Sequence, residues 1–286
     1  QLLAHSAGLP SWKPWFEHAA SDPVAGALFL TPGERPEGEA LAAAARRGRA
    51  LVQEAIFSER LEAPPGTVAR YGDAAFLVLG WLLEAVDGRG LAVSFDEEIA
   101  RPLRLGATSF RPAGANPGAA AGADEGIAPT ERCPHRHEVN QGDVNDDNAW
   151  AIGGVAGHAG LFSTAADVAV FGQAWLDAVL GRGSIVAAPV AAEFARRDPT
   201  PGSDRALGWD TPTAGASSLG TRLGRGPRGA IGHLGYTGCS LWLDLDAEVV
   251  CALLTNHCHP AGSDKPRIRA FRARFHDAVA EALGIE

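Results

Sequence analysis

Apolar residues recur at helical spacing in three long stretches of the chain. From Glu37 to about Glu62, Leu41, Ala44, Ala45, Leu51, Val52, Ala55 and Ile56 fall on one side of an Ala/Arg/Glu-rich run, which predicts a helix ending at Pro64-Pro65-Gly66. From Asp73 to Val86, Phe76, Leu77, Leu79, Leu82 and Leu83 form the apolar face of a second helix, with Asp73 as N-cap and Gly88 as its stop. A third is capped by Ser163 or Thr164, runs amphipathically from Val168 to Leu180, and is ended by Gly181 and Gly183. Shorter patterns predict a helix over Phe95 to Pro102 and a terminal one from about Arg267 to Leu283. Gly238 to Leu245 and Glu248 to Thr255 read as two strands around a tight Asp246-Ala247 turn. The opening residues, Gln1 to Pro10, read as the end of an apolar helical turn stopped by Gly and Pro. Ala113 to Asp147, rich in Gly, Ala, Pro, Asn and Asp, predicts a long ordered loop with no regular element.

Composition narrows the function classes. The 286 residues are 46% hydrophobic and 21% charged, the profile of a globular protein with one large or two medium domains. A formal charge of −9 without any long Lys/Arg run gives no footprint for a phosphate backbone, so no nucleic-acid partner is expected. The longest apolar run, Ala74 to Leu83, stops at Glu84 and is too short for a membrane span. The N-terminus carries neither an initiator Met nor a secretory signal pattern. The four cysteines show no C-x-x-C spacing, so reduced and mostly buried thiols are expected, and a cytoplasmic setting is favoured over a periplasmic one. Cys133-Pro134-His135-Arg136-His137, with Asp143, Asp146 and Asp147 nearby, superficially offers metal ligands but reads as an exposed polar loop. His257-Cys258-His259 alternates like a strand end and reads as structural, and Trp209 and Trp242 read as core or cleft walls. No metal or other cofactor is expected.

Five separated segments occur in an order that carries more information. They are His5-Ser6-Ala7-Gly8-Leu9-Pro10; Pro64-Pro65-Gly66-Thr67 leading into Tyr71-Gly72-Asp73; Gly153 to Asp167, which includes Gly157-His158-Ala159-Gly160-Leu161-Phe162-Ser163-Thr164; Gly232 to Asp244, which includes His233-Leu234-Gly235-Tyr236; and Leu253-Leu254-Thr255-Asn256. Together they resemble the β-lactamase-related serine hydrolases, the superfamily of class C β-lactamases, penicillin-binding proteins and esterases. That family sets a Ser-x-x-Lys nucleophile helix, a Tyr-x-Asn loop and a Lys-Thr-Gly or His-Thr-Gly strand around one cleft.

The resemblance implies roles residue by residue. Tyr71 matches the family's general base, which also protonates the leaving group, and Asp73 stands where Asn or Asp is found. His233 takes the place of the triplet's Lys or His, where it orients Tyr71 or binds a substrate carboxylate. The Tyr236 N–H, just after Gly235, matches one oxyanion donor; such a donor is often worth about 3 kcal/mol. Leu234 departs from the usual Thr and cannot donate a hydrogen bond, which favours an esterase or peptidase over a β-lactamase. Ser11 and His158 are cleft-lining residues by analogy. No serine from Ser6 to Ser263 has a lysine three positions on, and Ser11 has Lys13 at +2, the wrong face of a helix.

The expectation is therefore an α/β chain of α+β type with the β-lactamase-like fold, lacking the N-terminal portion that carries the nucleophile. Residues 1–200 are expected to form its mostly helical, loop-rich part, and residues 201–286 a mixed antiparallel sheet with the C-terminal helix. The implied function is acyl transfer or hydrolysis of an ester, amide or D-amino-acid peptide, with a small-molecule substrate. The alternative is a non-catalytic homologue that binds a ligand or partner in the same cleft.

Overall fold

The computed structural model describes residues 1–113, 126–183, 185–215, 217–260 and 262–285. Its helices are α1 (Phe16–Ala20), α2 (Gly38–Phe57), α3 (Asp73–Asp87), α4 (Leu91–Phe95), α5 (Arg101–Leu103), α6 (Asp147–Ala151), α7 (Ala165–Val179), α8 (Ala188–Ala195) and α9 (Lys265–Ala282). A 3-10 turn, Ala25–Phe29, follows α1, and a π turn, Asp96–Ala100, joins α4 to α5. The strands are β1 (Ser109–Phe110), β2 (Arg132–Cys133), β3 (Glu138–Val139), β4 (Leu161–Phe162), β5 (Ala230–Leu234), β6 (Ser240–Asp244) and β7 (Val249–Leu253). Strands β5, β6 and β7 make one antiparallel sheet, while β1 pairs with β4 and β2 with β3. No helix among the described residues is long and apolar enough to cross a membrane.

The sheet is buried on both faces because its residues alternate. Ile231 and Leu243 point toward α7, where Leu176, Trp209 and Leu245 complete one cluster. Their neighbours Ala230 and Trp242 point the other way, into a cluster with Leu219, Leu223 and Ala280 of α9. The larger core lies among the N-terminal helices, around Trp150, Leu28, Val52, Ile56, Leu77 and Trp81.

Several boundaries differ from the sequence expectation. Helix α2 stops at Phe57, well before Pro64, because the chain beyond it is taken by tertiary partners: Glu59 accepts a hydrogen bond from the Trp15 indole (3.0 Å), and the Glu62 N–H donates to Gly8 O (2.8 Å). Helix α3 starts as expected, but Gly72 occupies the N-cap and Asp73 is the first helical residue, with no side chain capping that end. Its buried face is Ala74, Ala75, Leu77, Gly80 and Trp81, whereas Leu82 and Leu83 are half-exposed. Small residues face inward because α3 rests directly on the Gly157 backbone, and a Cβ at Gly157 would overlap the Phe76 carbonyl.

Part of the expected long loop, residues 114–125, lies outside the described residues. The rest is more regular than its composition suggests, since it contains the β2–β3 hairpin. Arg136 is buried within it, not exposed as expected of this loop, and Cys133 is buried as expected of the thiols; Pro134, His135 and His137 are exposed. Arg136 and Arg35 flank the Trp150 ring at 5.0 and 5.1 Å. Arg136 donates to Val144 O and Asn145 O, both at 2.7 Å, and Arg35 pairs with Glu138 at 2.6 Å. The loop is thus pinned by guanidinium groups on an indole face, an arrangement without periodicity in sequence.

Candidate active site

A cleft of about 3220 Å³ lies between the helical region and the sheet. It brings together every site residue anticipated from the sequence: Ser11, Tyr71, Asp73, His158, His233, Leu234, Gly235 and Tyr236 all line it. Tyr71 sits on the turn before α3. Its carbonyl accepts a hydrogen bond from the Ser11 hydroxyl, and the Asp73 N–H donates to Ser11 O at 2.8 Å. Gly72 is required between them, because a Cβ there would overlap the Ser11 backbone.

His5, which the sequence reading placed only in a turn motif, belongs to this site. Its ring lies 4.6 Å from Tyr71 and 4.9 Å from Phe76, and its Nδ1 accepts from the Gly72 N–H at 3.3 Å. Accepting at Nδ1 requires a neutral ring with its proton on Nε2. Burial, followed by the charges of Arg205 and His233, pushes the His5 imidazole down to about 3. The signal in sequence was the segment His5 to Pro10 itself; the burial that fixes the ring's charge state was not.

His233, on β5, faces Tyr71 with 6.3 Å between ring centroids. Its Nδ1–H donates to Leu234 O at 3.0 Å. Burial, followed by the Asp73 carboxylate, pushes the Tyr71 phenol above its ordinary range, and Arg205 pulls in the opposite direction. Leu234 packs against the cluster of Leu219, Leu223 and Trp242.

A second group lies beside Tyr71. His158 Nε2–H donates to Asp146 Oδ1 at 2.9 Å, and one ligand atom each from Asp73, Asp146 and His158 lies within 4.8 Å of the others. Among the described residues this trio is the one cluster of His, Cys, Asp and Glu close enough to hold a cation. The His158 ring is hydrogen-bonded to Asp146 alone, and its buried Nδ1 has no hydrogen-bond partner. Burial disfavours the His158 imidazolium, but the hydrogen bond and charge of Asp146, with Asp73 behind it, outweigh burial and raise it. Burial raises the Asp73 carboxyl, helped by Asp146 and opposed by His158. The loop Cys133 to His137 is not part of this trio: Cys133 donates to Asp147 at 3.3 Å, and His135 packs on Phe16.

The turn carrying Gly235 and Tyr236 is braced by two residues that the sequence reading did not assign to the site. Arg272 of α9 is buried and donates to Gly235 O (2.6 Å), Gly238 O (2.8 Å) and Cys239 O (2.8 Å). His257 donates from Nε2 to Tyr236 O and from its backbone to Thr237 O, both at 2.9 Å. His257 therefore belongs to a loop after β7 and not to a strand end. With Gly235 N–H bonded to Cys239 O at 2.7 Å, the backbone around Tyr236 is fixed before any ligand arrives, as an oxyanion donor requires.

Comparison with known proteins identifies the family and the fold. The beta-lactamase family profile matches residues 1–273. A protein provisionally named D-alanyl-D-alanine carboxypeptidase from Escherichia coli (strain K12) is 31% identical over 280 residues, covering 92% of this chain and 57% of that protein. An N-acetylmuramyl-L-alanine amidase from Bacillus subtilis (strain 168) is 32% identical over 214 residues, covering 70% of this chain and 46% of that one. The chain thus spans about half the length of the curated relatives it matches. Among solved structures, the octameric penicillin-binding protein homologue from Pyrococcus abyssi superposes with a TM-score of 0.60 at 18% identity, over 100% of this chain and 55% of that one. At that identity the likeness concerns the fold.

Proposed function

Given that this chain belongs to the beta-lactamase family, whose relatives here carry hydrolase names, we propose that it is the cleft-forming part of a serine acyl hydrolase acting on an ester, amide or D-amino-acid peptide. The observation that carries the reading is the convergence of Tyr71, His233 and the Gly235–Tyr236 turn on one cleft. In this reading Tyr71 takes the proton of an attacking serine and returns it to the leaving group, His233 orients it, and the Tyr236 N–H stabilises the developing oxyanion. The serine comes from outside these 286 residues, since none of theirs has a lysine three positions on.

The missing Ser-x-x-Lys equally favours a second reading, a homologue that binds a ligand in this cleft without acyl transfer. Intact-mass spectrometry of the naturally produced protein after exposure to a fluorophosphonate or a penicillin separates the two. A covalent adduct on a longer chain supports the hydrolase, and its loss on Tyr71→Phe assigns the base. No adduct, with the fold intact, supports the binder.

A further inference from the structure

Arg205 occupies a position in the cleft that no motif assigns. Its guanidinium carbon lies 4.7 Å from the centroid of the Tyr71 ring, and its side chain is 20% exposed. The group is held from behind. Arg205 forms an ion pair with Asp210, and the two are bridge partners across a tight turn closed by Ala206 N–H to Trp209 O at 2.8 Å. Asp210 then pairs in both directions with Gly232 of β5, at 2.6 and 3.0 Å, one residue before His233. Trp209 anchors the turn in the core beneath α7. The strand that places His233 opposite Tyr71 thereby also fixes the guanidinium on the Tyr71 ring.

The charge around Tyr71 is otherwise unfavourable for a proton acceptor. Its electrostatic neighbours are the carboxylates of Asp73, Asp210 and Asp146, the guanidinium of Arg205 and the rings of His5 and His233. His5 is neutral, as its hydrogen bond from Gly72 requires. Guanidinium is charged at every working pH and stacks on aromatic faces, which suits it to this position better than an ammonium group.

We infer that Arg205 is a positioning residue for Tyr71: laid on the ring, its guanidinium orients the phenol in the cleft and supplies the fixed positive charge that lets the phenol give up its proton. The inference rests on the proposed role of Tyr71 in proton transfer, but its test does not need turnover. The chain has two tyrosines, so Tyr236→Phe leaves Tyr71 as the sole phenol. In that background the phenolate absorbance of Tyr71 is read at one alkaline pH at which circular dichroism shows the fold intact. Arg205→Gln is expected to lower the phenolate fraction about tenfold, one pH unit in the midpoint, and Arg205→Lys to restore part of it. If Arg205→Gln unfolds because Asp210 is left unpaired, the double variant Arg205→Gln with Asp210→Asn removes the pair together. The fraction still falls, because the guanidinium lies on the ring and the carboxylate behind it.

An unchanged phenolate fraction in the folded Gln or double variant overturns the inference. The two readings fail separately. If the phenolate follows Arg205 but Tyr71→Phe leaves adduct formation intact in the longer protein, the proposed base is wrong and the electrostatic coupling stands. If Tyr71→Phe abolishes adduct formation while the phenolate ignores Arg205, only this inference falls.

Discussion

His5 makes the stability of this protein depend on mildly acidic pH, by an amount that follows from the structure. Its folded-state value is pushed from 6.5 down to about 3, so the unfolded chain binds a proton that the native site refuses. The stabilisation is fully present above pH 6.5 and is lost as pH falls from 6.5 toward 3. At pH 5 the loss relative to pH 8 is RT ln(1 + 10^1.5), or about 2 kcal/mol. That figure hardly changes if the folded value is 4 instead of 3, because at pH 5 the native ring is neutral in either case. The comparison variant is His5→Asn, whose amide oxygen can replace Nδ1 as acceptor for the Gly72 N–H. Asn also tolerates the left-handed backbone found at His5, φ 53°. It lacks the ring contacts with Tyr71 and Phe76, so at pH 8 it is expected to be less stable by about 1 kcal/mol. Urea unfolding at a series of pH values between 5 and 8 should show the two stabilities converging and crossing as pH falls, because every other titrating group is common to both. A stability difference that stays constant across this range would refute the buried, neutral His5.

Other perturbations test the elements that build the cleft. Arg272→Ala leaves Gly238 O without its partner and removes one of two hydrogen bonds from each of Gly235 O and Cys239 O, and is expected to cost on the order of 3 kcal/mol, with amide exchange at the Gly235–Cys239 turn accelerating far more than in α2; equal acceleration everywhere would deny it a local role. Asp146→Asn keeps a competent N-cap for α6 but removes the carboxylate that charges His158. The His158 titration seen by NMR should therefore move to lower pH as burial takes over. An unmoved titration would mean that Asp73 alone sustains the imidazolium. Gly157→Ala forces a methyl against the Phe76 carbonyl and should cost about 1–3 kcal/mol in thermal unfolding, by pushing α3 off the loop that carries His158. Wild-type stability would show that this contact is not tight in solution.

How much of this was legible in advance depended on whether the physics was local. The period of 3.6 and the stops at Gly88 and Gly181 placed α3 and α7 to within a few residues, since helix formation and termination are decided by side chains a few positions apart. The cap of α7 was narrowed to Ser163 or Thr164, of which Thr164 takes the place, because a capping bond reaches only to the Asp167 N–H. Asp73 was misread as a cap because the choice between residues 72 and 73 was made by Ser11, which lies 60 or more positions away and leaves no room for a side chain at Gly72. Helix α2 ended early for the same kind of reason, its expected last turn being recruited by Trp15 and Gly8.

The motif residues Tyr71, Asp73, His158, His233 and the Gly235–Tyr236 turn were named from the sequence through its resemblance to a family, and the want of a Ser-x-x-Lys among these residues was read there too, because motifs of this kind are written in residue types and short spacings. Only the tertiary structure could add His5, Arg205, His257 and Arg272. Each acts through a contact between segments far apart in the chain. Whether a histidine is neutral, or an arginine lies on a tyrosine ring, is decided by burial and by neighbouring charges, which exist only once the chain has folded.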